Sequence, residues 1–81
     1  MERRDKMATL LARADDVRRL ALDELDATAR TTNTWGSQSH RSGRDRVERA
    51  YDQDALRLEK LEEAGLDQEL AALRESRPAG A

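Results

Sequence analysis

Apolar positions in the first part of the chain repeat with the period of an α-helix. Between about residues 5 and 30 there is neither glycine nor proline, and most residues are good helix formers. At 100° per residue the apolar side chains fall on one stripe roughly 140° wide. We therefore predict an amphipathic helix at about 5–30. Its stripe consists of Met7, Leu10, Leu11, Ala14, Val17, Ala21, Leu22 and Leu25, with Arg18 inside it.

A second helical stripe follows a polar interruption. Residues 31–43 hold small hydroxyl and amide side chains and two glycines, which disfavour helix, so we predict a polar loop. The segment from Ser42 to Asp45 fits a capping box and starts a predicted helix at about 44–64, with Gly65 as its C-cap. The stripe of this helix is Val47, Ala50, Tyr51, Leu58 and Leu61, with Asp54 in its middle.

The C-terminal part predicts a short third helix. Asp67 suits the N-cap of a helix at 67–76, and residues 77–81 are typical of a flexible tail. The alternative is one continuous helix from residue 44 to 76, whose last leucines would lie about 100° round from the preceding stripe. Because that needs a second packing surface, we favour the break. The predicted fold class is all-α, an antiparallel helical hairpin with a short C-terminal helix in a single domain over 1–81.

The two stripes can be paired in an antiparallel register. Matching them in order places Arg18 opposite Asp54 and centres the turn at Gly36. Small alanines of the first helix then face larger side chains of the second, the alternation that a close-packed seam requires. An inward Arg18–Asp54 pair is expected to fix the register rather than to add stability.

The apolar residues are too few for a stable monomer. A chain of 81 residues with sixteen large apolar side chains besides Met1 encloses only a small core. We therefore expect oligomerisation into a helical bundle, most simply a homodimer with four main helices. Leu20 and Leu56 lie off the stripes and are further candidates for contact between chains. The expected core or interface residues are Leu10, Leu11, Ala14, Val17, Arg18, Ala21, Leu25, Val47, Tyr51, Asp54, Leu58, Leu61, Leu66, Leu70 and Leu73.

Composition narrows the class of protein. Charged residues make up 40% of the chain, but 15 basic and 17 acidic groups nearly cancel, so we expect a folded chain rather than a disordered one. The absence of cysteine excludes disulfides and thiolate zinc sites. No apolar run has membrane-spanning length and the N-terminus lacks a signal-peptide core, so we expect a cytoplasmic protein without a membrane partner. Thirteen arginines against two lysines are typical of a high-GC bacterial or phage genome.

No pattern in the sequence assembles catalytic chemistry. Adjacent carboxylates such as Glu62 and Glu63 point about 100° apart on a helix and do not form an acid–base pair. His40, the single histidine, is expected to be a solvated loop residue. There is no glycine-rich phosphate loop, nucleophile elbow or metal-ligand spacing. We expect no enzyme, no cofactor and no metal site.

The polar loop carries the candidates for binding a partner. Trp35, the only tryptophan, is either an anchor for a partner or a cap over the end of the hairpin core. Residues 30–46 carry a net charge of +3, whereas residues 1–29 carry −1 and residues 47–81 carry −4. The partner-binding candidates are Trp35, Arg41, Arg44 and Arg46.

The predicted function is a small non-enzymatic protein–protein interaction or assembly module that acts as a homo-oligomeric helical bundle and has a protein partner of unknown identity. The alternative is a small nucleic-acid-binding regulator that uses the basic region 30–46, including Arg30. A further alternative is a coiled-coil component of a larger particle. Architecture alone does not decide among them.

Overall fold

Three α-helices make up the fold of residues 2–75, the part of the chain that the structure describes. The computed structural model places α1 at Arg3–Thr31, α2 at Gln38–Glu59 and α3 at Glu63–Glu75. The all-α class is confirmed, and contacts between Asp26 and His40 at one end and Arg3 and Glu59 at the other make α1 and α2 an antiparallel hairpin. Within residues 2–75 none of the helices combines the length and the apolar character needed to cross a bilayer. The predicted tail at 77–81 lies outside the described residues.

The predicted loop at 31–43 is wrong, because α2 begins at Gln38 rather than near residue 44. Ser37 is the N-cap, and its hydroxyl accepts a hydrogen bond from the His40 backbone N–H at 3.2 Å. Gly43 lies inside the helix, where a Cβ atom would come within 3.1 Å of Leu25 Cδ2. This glycine therefore allows α2 to approach α1 closely, and the connection between the helices is only residues 32–37.

The break between the second and third helices is confirmed, but it lies earlier than predicted. The second helix ends at Glu59 rather than near residue 64, and the third begins at Glu63 rather than at residue 67. Gly65 lies in the first turn of α3 and is not a C-cap. Leu61, between the helices, packs against the core, so an earlier reversal lets α3 fold back onto α1.

The core lies at the end of the hairpin that α3 covers. It consists of buried Leu10, Leu58, Leu66 and Leu70. Partly buried apolar side chains from α1 and the α2–α3 connection pack around it. These are Met7, Leu11 and Leu61.

The register of the hairpin differs from the prediction. Contacts join Leu25 to Gly43 and Asp26 to His40, which centres the turn at residues 33–34 instead of Gly36. The shift follows from the short connection at 32–37. Arg18 pairs with Asp15 and Glu48, and Asp54 pairs with Arg57, so the predicted Arg18–Asp54 ion pair is replaced by other pairs.

The folded chain is extended for its length. Its Cα radius of gyration is 15.5 Å and its principal extents are 46 × 33 × 14 Å. A compact domain of similar length has a radius of gyration of about 11–12 Å. An extended chain encloses little volume, so much of the hairpin has no layer of side chains above it.

Candidate protein-interaction sites

A trough with many apolar residues runs along the hairpin beside α3, and Glu69, Ala72 and Leu73 of α3 line part of its larger section. Its larger section has a volume of about 620 Å³, and a second section of about 440 Å³ continues toward the turn. Ala21 and Val47 line both sections, so the trough is continuous. Its side chains are small or apolar for most of its length. We define the trough by Ala14, Val17, Ala21, Val47, Ala50 and Tyr51.

Arg18 is a charged side chain between the apolar residues of the trough, and Arg13, Asp54, Arg57 and Glu69 also line its larger section. Its guanidinium carbon lies 4.5 Å from the centroid of the Tyr51 ring, a cation–π contact. Nη1 donates to Glu48 Oε2 at 3.3 Å, and Nη2 donates to Asp15. Burial lowers the pKa of Arg18, but Asp15 and Glu48 outweigh it and the pKa is raised. The charge of Arg18 is therefore already compensated within the chain, although its buried Nε atom has no hydrogen-bond partner.

Ion pairs fasten α3 to the hairpin. Lys6, only 8% exposed, pairs with Asp67 at 2.8 Å and with Glu63 at 3.3 Å. The hydrogen bond to Asp67 is the main cause that raises the pKa of Lys6. On the other side, Arg57 pairs with Glu69 of α3, and this contact raises the pKa of Arg57. Three carboxylates of α3 are thus used within the chain.

The predicted core or interface residues differ in burial. Leu66 and Leu70, which the sequence predicted as core or interface residues, are buried in the chain's own core together with Leu10 and Leu58. Val17 in the trough is 51% exposed. Leu20 and Leu56 are also exposed but do not line the trough. The half-buried members are Leu11, Ala14, Arg18, Ala21, Leu25, Val47, Tyr51, Asp54, Leu61 and Leu73.

The turn between α1 and α2 is closed by its own backbone. The Thr34 N–H donates to Ala29 O at 2.8 Å, and the Ser37 N–H donates to Thr34 O at 3.0 Å. Asn33 and Gly36 have positive φ angles of 56° and 77°, a region that asparagine and glycine enter most easily. The segment is therefore a defined turn in which each residue type suits its backbone conformation.

His40 is the centre of a polar cluster that joins α1, the turn and α2, and the expectation of a solvated loop histidine is wrong. The residue is 7% exposed. Its Nδ1 accepts the Gly36 N–H at 3.0 Å, so Nε2 carries the proton and donates to Asp26 Oδ1 at 2.8 Å. Arg44 Nη1 also donates to Asp26, at 2.7 Å. We call Asp26, Gly36, His40 and Arg44 the turn cluster.

Electrostatics and geometry assign the turn cluster a structural role. The hydrogen bond from His40, followed by that from Arg44, lowers the pKa of Asp26. Both ring nitrogens of His40 are occupied, so neither is free to accept a proton from a substrate in this arrangement. The cluster therefore holds the helix ends together.

Trp35 projects from the turn beside this cluster. Its ring centroid lies 4.7 Å from that of His40, at an interplanar angle of 44°, and the Arg30 guanidinium carbon lies 5.2 Å from it. The side chain remains 55% exposed. The indole therefore packs against His40 of the turn cluster. It does not cap the leucine core, which lies at the other end of the hairpin.

The arginines predicted to bind a partner have different environments. Arg44 is occupied by Asp26 and belongs to the turn cluster. Arg41 and Arg46 are exposed, and so is Arg30. The exposed basic groups near Trp35 are therefore fewer than the sequence indicated.

The chain matches no protein-family model, and no curated protein or solved structure shows significant similarity to it. In the part of the chain that the structure describes, no group of three or more histidine or acidic side chains is arranged to hold a metal ion.

Proposed function

We propose that the chain is a small non-enzymatic interaction or assembly module that acts as a homo-oligomeric helical bundle, most simply a homodimer. The open apolar trough carries this proposal. Covering apolar surface that is continuous over two helices removes it from water, and this lowers the free energy. The four buried leucines of the core lie at one end. Over the rest of the hairpin, within residues 2–75, no second layer of side chains covers the apolar surface.

The side chains of the trough suit the approach of a second hairpin. Ala14, Ala21 and Ala50 let another helix come close, and Val17 and Tyr51 supply larger side chains that would fit between those of a partner. A two-fold axis places the same patch against itself, so one surface serves both copies. Because Arg18 is already paired, covering it leaves a compensated charge rather than a bare one.

The nucleic-acid alternative draws less support from the contacts. Asp26 occupies Arg44, which leaves Arg30, Arg41 and Arg46 exposed in the basic region. Affinity for a phosphate backbone grows with the number of phosphates neutralised, and few contacts give weak, salt-sensitive binding. The contacts therefore favour self-assembly through the trough over nucleic-acid binding.

A matched pair of substitutions tests the proposal by light scattering and ultracentrifugation. We expect the unaltered chain to have the mass of a dimer, with a thermal midpoint that rises with protein concentration. Val17→Glu places a charge in the trough and should weaken the dimer at least tenfold, which corresponds to about 1.4 kcal/mol. Leu20→Glu changes another exposed apolar residue of α1, outside the trough, and should leave the mass unchanged.

Two results would contradict the proposal. One is a folded monomer whose thermal midpoint does not depend on concentration. The other is dissociation by Leu20→Glu together with an intact Val17→Glu dimer, which would move the contact to another face of α1.

A further inference from the structure

The turn that carries Trp35 is fixed from several sides. The Ser37 hydroxyl caps α2, and His40 accepts a hydrogen bond from Gly36 and donates one to Asp26. Because these contacts join both helices, the turn loses little further conformational freedom when a partner binds. Surfaces that are ordered in advance bind with a smaller entropic cost.

Trp35 is held in place while most of its surface stays open. The centroid of the His40 ring lies 4.7 Å from that of the indole, and the Arg30 guanidinium carbon lies 5.2 Å from the indole centroid. The Trp35 side chain is nevertheless 55% exposed. Tryptophan and arginine are the residue types that most often dominate the binding energy of protein interfaces. An exposed tryptophan that is already oriented therefore has the properties of an anchor.

The charge around this anchor has one predominant sign. Residues 30–46 carry +3, or +2 when Asp26, which pairs with Arg44, is counted with them, whereas residues 47–81 carry −4. The acidic Asp26 nearby is occupied by His40 and Arg44. Arg30 and Arg41 are exposed at the same end of the hairpin. The surface is complementary to a negatively charged partner.

We propose that Trp35, Arg30 and Arg41 form a docking surface for an acidic protein segment that presents carboxylates around an apolar side chain. The apolar side chain would pack on the exposed part of the indole, and the carboxylates would pair with the two guanidinium groups. This surface lies on the turn and is distinct from the trough, so the inference goes beyond self-assembly.

Two other occupants fit the contacts less well. A second copy could offer the acidic α3, but Glu63, Asp67 and Glu69 are already paired with basic residues of their own chain. A nucleic acid would meet few exposed arginines, which limits the number of phosphates neutralised. A protein segment needs fewer contacts, because a single anchor such as Trp35, with the charges of Arg30 and Arg41, is sufficient to bind it.

Intrinsic fluorescence gives a direct test, because Trp35 is the only tryptophan of the chain. The probe is a labelled amphipathic helical peptide of glutamate and leucine. The comparison probes are the same peptide with lysine for glutamate and a single-stranded oligo(dT). We expect the glutamate peptide alone to shift the Trp35 emission to shorter wavelength, with an affinity that falls as salt is raised.

Variants locate the surface by anisotropy of the labelled peptide. Trp35→Ala should weaken binding at least tenfold, and Arg30→Gln and Arg41→Gln should each weaken it severalfold. Arg4→Gln makes the same change of charge at the other end of the hairpin and should have no effect. Circular dichroism checks that each variant folds, and a Val17→Glu chain that still binds the peptide separates this inference from the self-assembly proposal.

Three outcomes would overturn the inference. The first is the absence of binding by the glutamate peptide. The second is equal weakening by Arg4→Gln and Arg41→Gln, which would reduce the effect to net charge. The third is oligo(dT) binding that depends on Trp35 and Arg41, which would assign the surface to a nucleic acid.

Discussion

The two ends of the hairpin are stabilised in different ways. At the α3 end, Leu58 is 2% exposed and Leu66 is 0% exposed, and leucines from all three helices meet. At the turn end, the buried residues are Ala29 and His40. Hydrogen bonds from His40 and Arg44 to Asp26 join α2 to α1 there. At one end buried leucines join α3 to the hairpin, together with the ion pairs of Lys6 and Arg57, and at the other a polar network joins α1 to α2.

The difference teaches that stability and register have separate sources in this chain. Apolar contacts tolerate small displacements because they have little directional preference. The hydrogen bonds of His40 depend on distance and angle, so they admit one alignment of α1 and α2. Substitutions at the two ends are therefore expected to differ in size and in kind.

The largest loss of stability is expected from Leu66→Ala. This side chain is fully buried, and its removal leaves a cavity, which typically costs about 2–5 kcal/mol. Chemical denaturation measures the loss, with Leu20→Ala as the exposed control at within about 0.5 kcal/mol. A cost for Leu66→Ala as small as that of the control would contradict a leucine core at this end.

A smaller and more local effect is expected from His40→Ala. The change leaves the Gly36 N–H without its acceptor and Asp26 without one donor, a loss of about 1–3 kcal/mol. Hydrogen exchange should quicken at Gly36 while the core amides near Leu58 keep their protection. Ser39→Ala is the exposed neighbouring control. Equal acceleration at both ends would show that the ends do not behave separately.

The smallest effect is expected on the stability of the fold at acid pH, through the carboxylate of Asp26. Because His40 and Arg44 lower the pKa of Asp26, the folded chain binds fewer protons there than the unfolded chain. This contribution is fully present above the ordinary carboxyl pKa of about 3.9 and is lost as pH falls through the lowered value.

Thermal midpoints between pH 6 and pH 2 check this contribution. Asp26→Asn should remove part of the acid dependence, so the gap between this variant and the unaltered chain should shrink at low pH. Asp23→Asn, an exposed carboxylate of the same helix, serves as the control and should leave the profile unchanged. An identical acid dependence in all three chains would show that Asp26 does not contribute to the loss of stability at low pH.

The α3 end was the more predictable part of the fold. The leucine stripes at Leu10 and Leu58 follow helical periodicity, and that signal identified both helices and the break before α3. The stripe also included the residues that line the trough, such as Ala14 and Tyr51. Periodicity does not distinguish a residue covered by its own chain from one covered by a second chain, so the sequence predicted Leu66 only as a core or interface residue, and the structure places it in the core.

The turn end was predicted poorly because its signals are polar. The capping-box pattern from Ser42 to Asp45 and the glycine at position 43 favoured a start of the second helix later than the observed Gln38. In the structure Gly43 packs against Leu25, a role that only the three-dimensional contact reveals. His40 reaches Asp26 across fourteen positions of sequence, a pairing that no local pattern encodes.

The separation along the chain between contacting residues gives the two ends different entropic costs of closure. Asp26 and His40 are 14 positions apart, whereas Lys6 and Glu63 are 57 apart. Because the entropy of loop closure grows with the logarithm of loop length, bringing the turn end together costs about 1.2 kcal/mol less. The polar end, which buries little apolar surface, therefore also has the smaller loss of chain entropy to overcome.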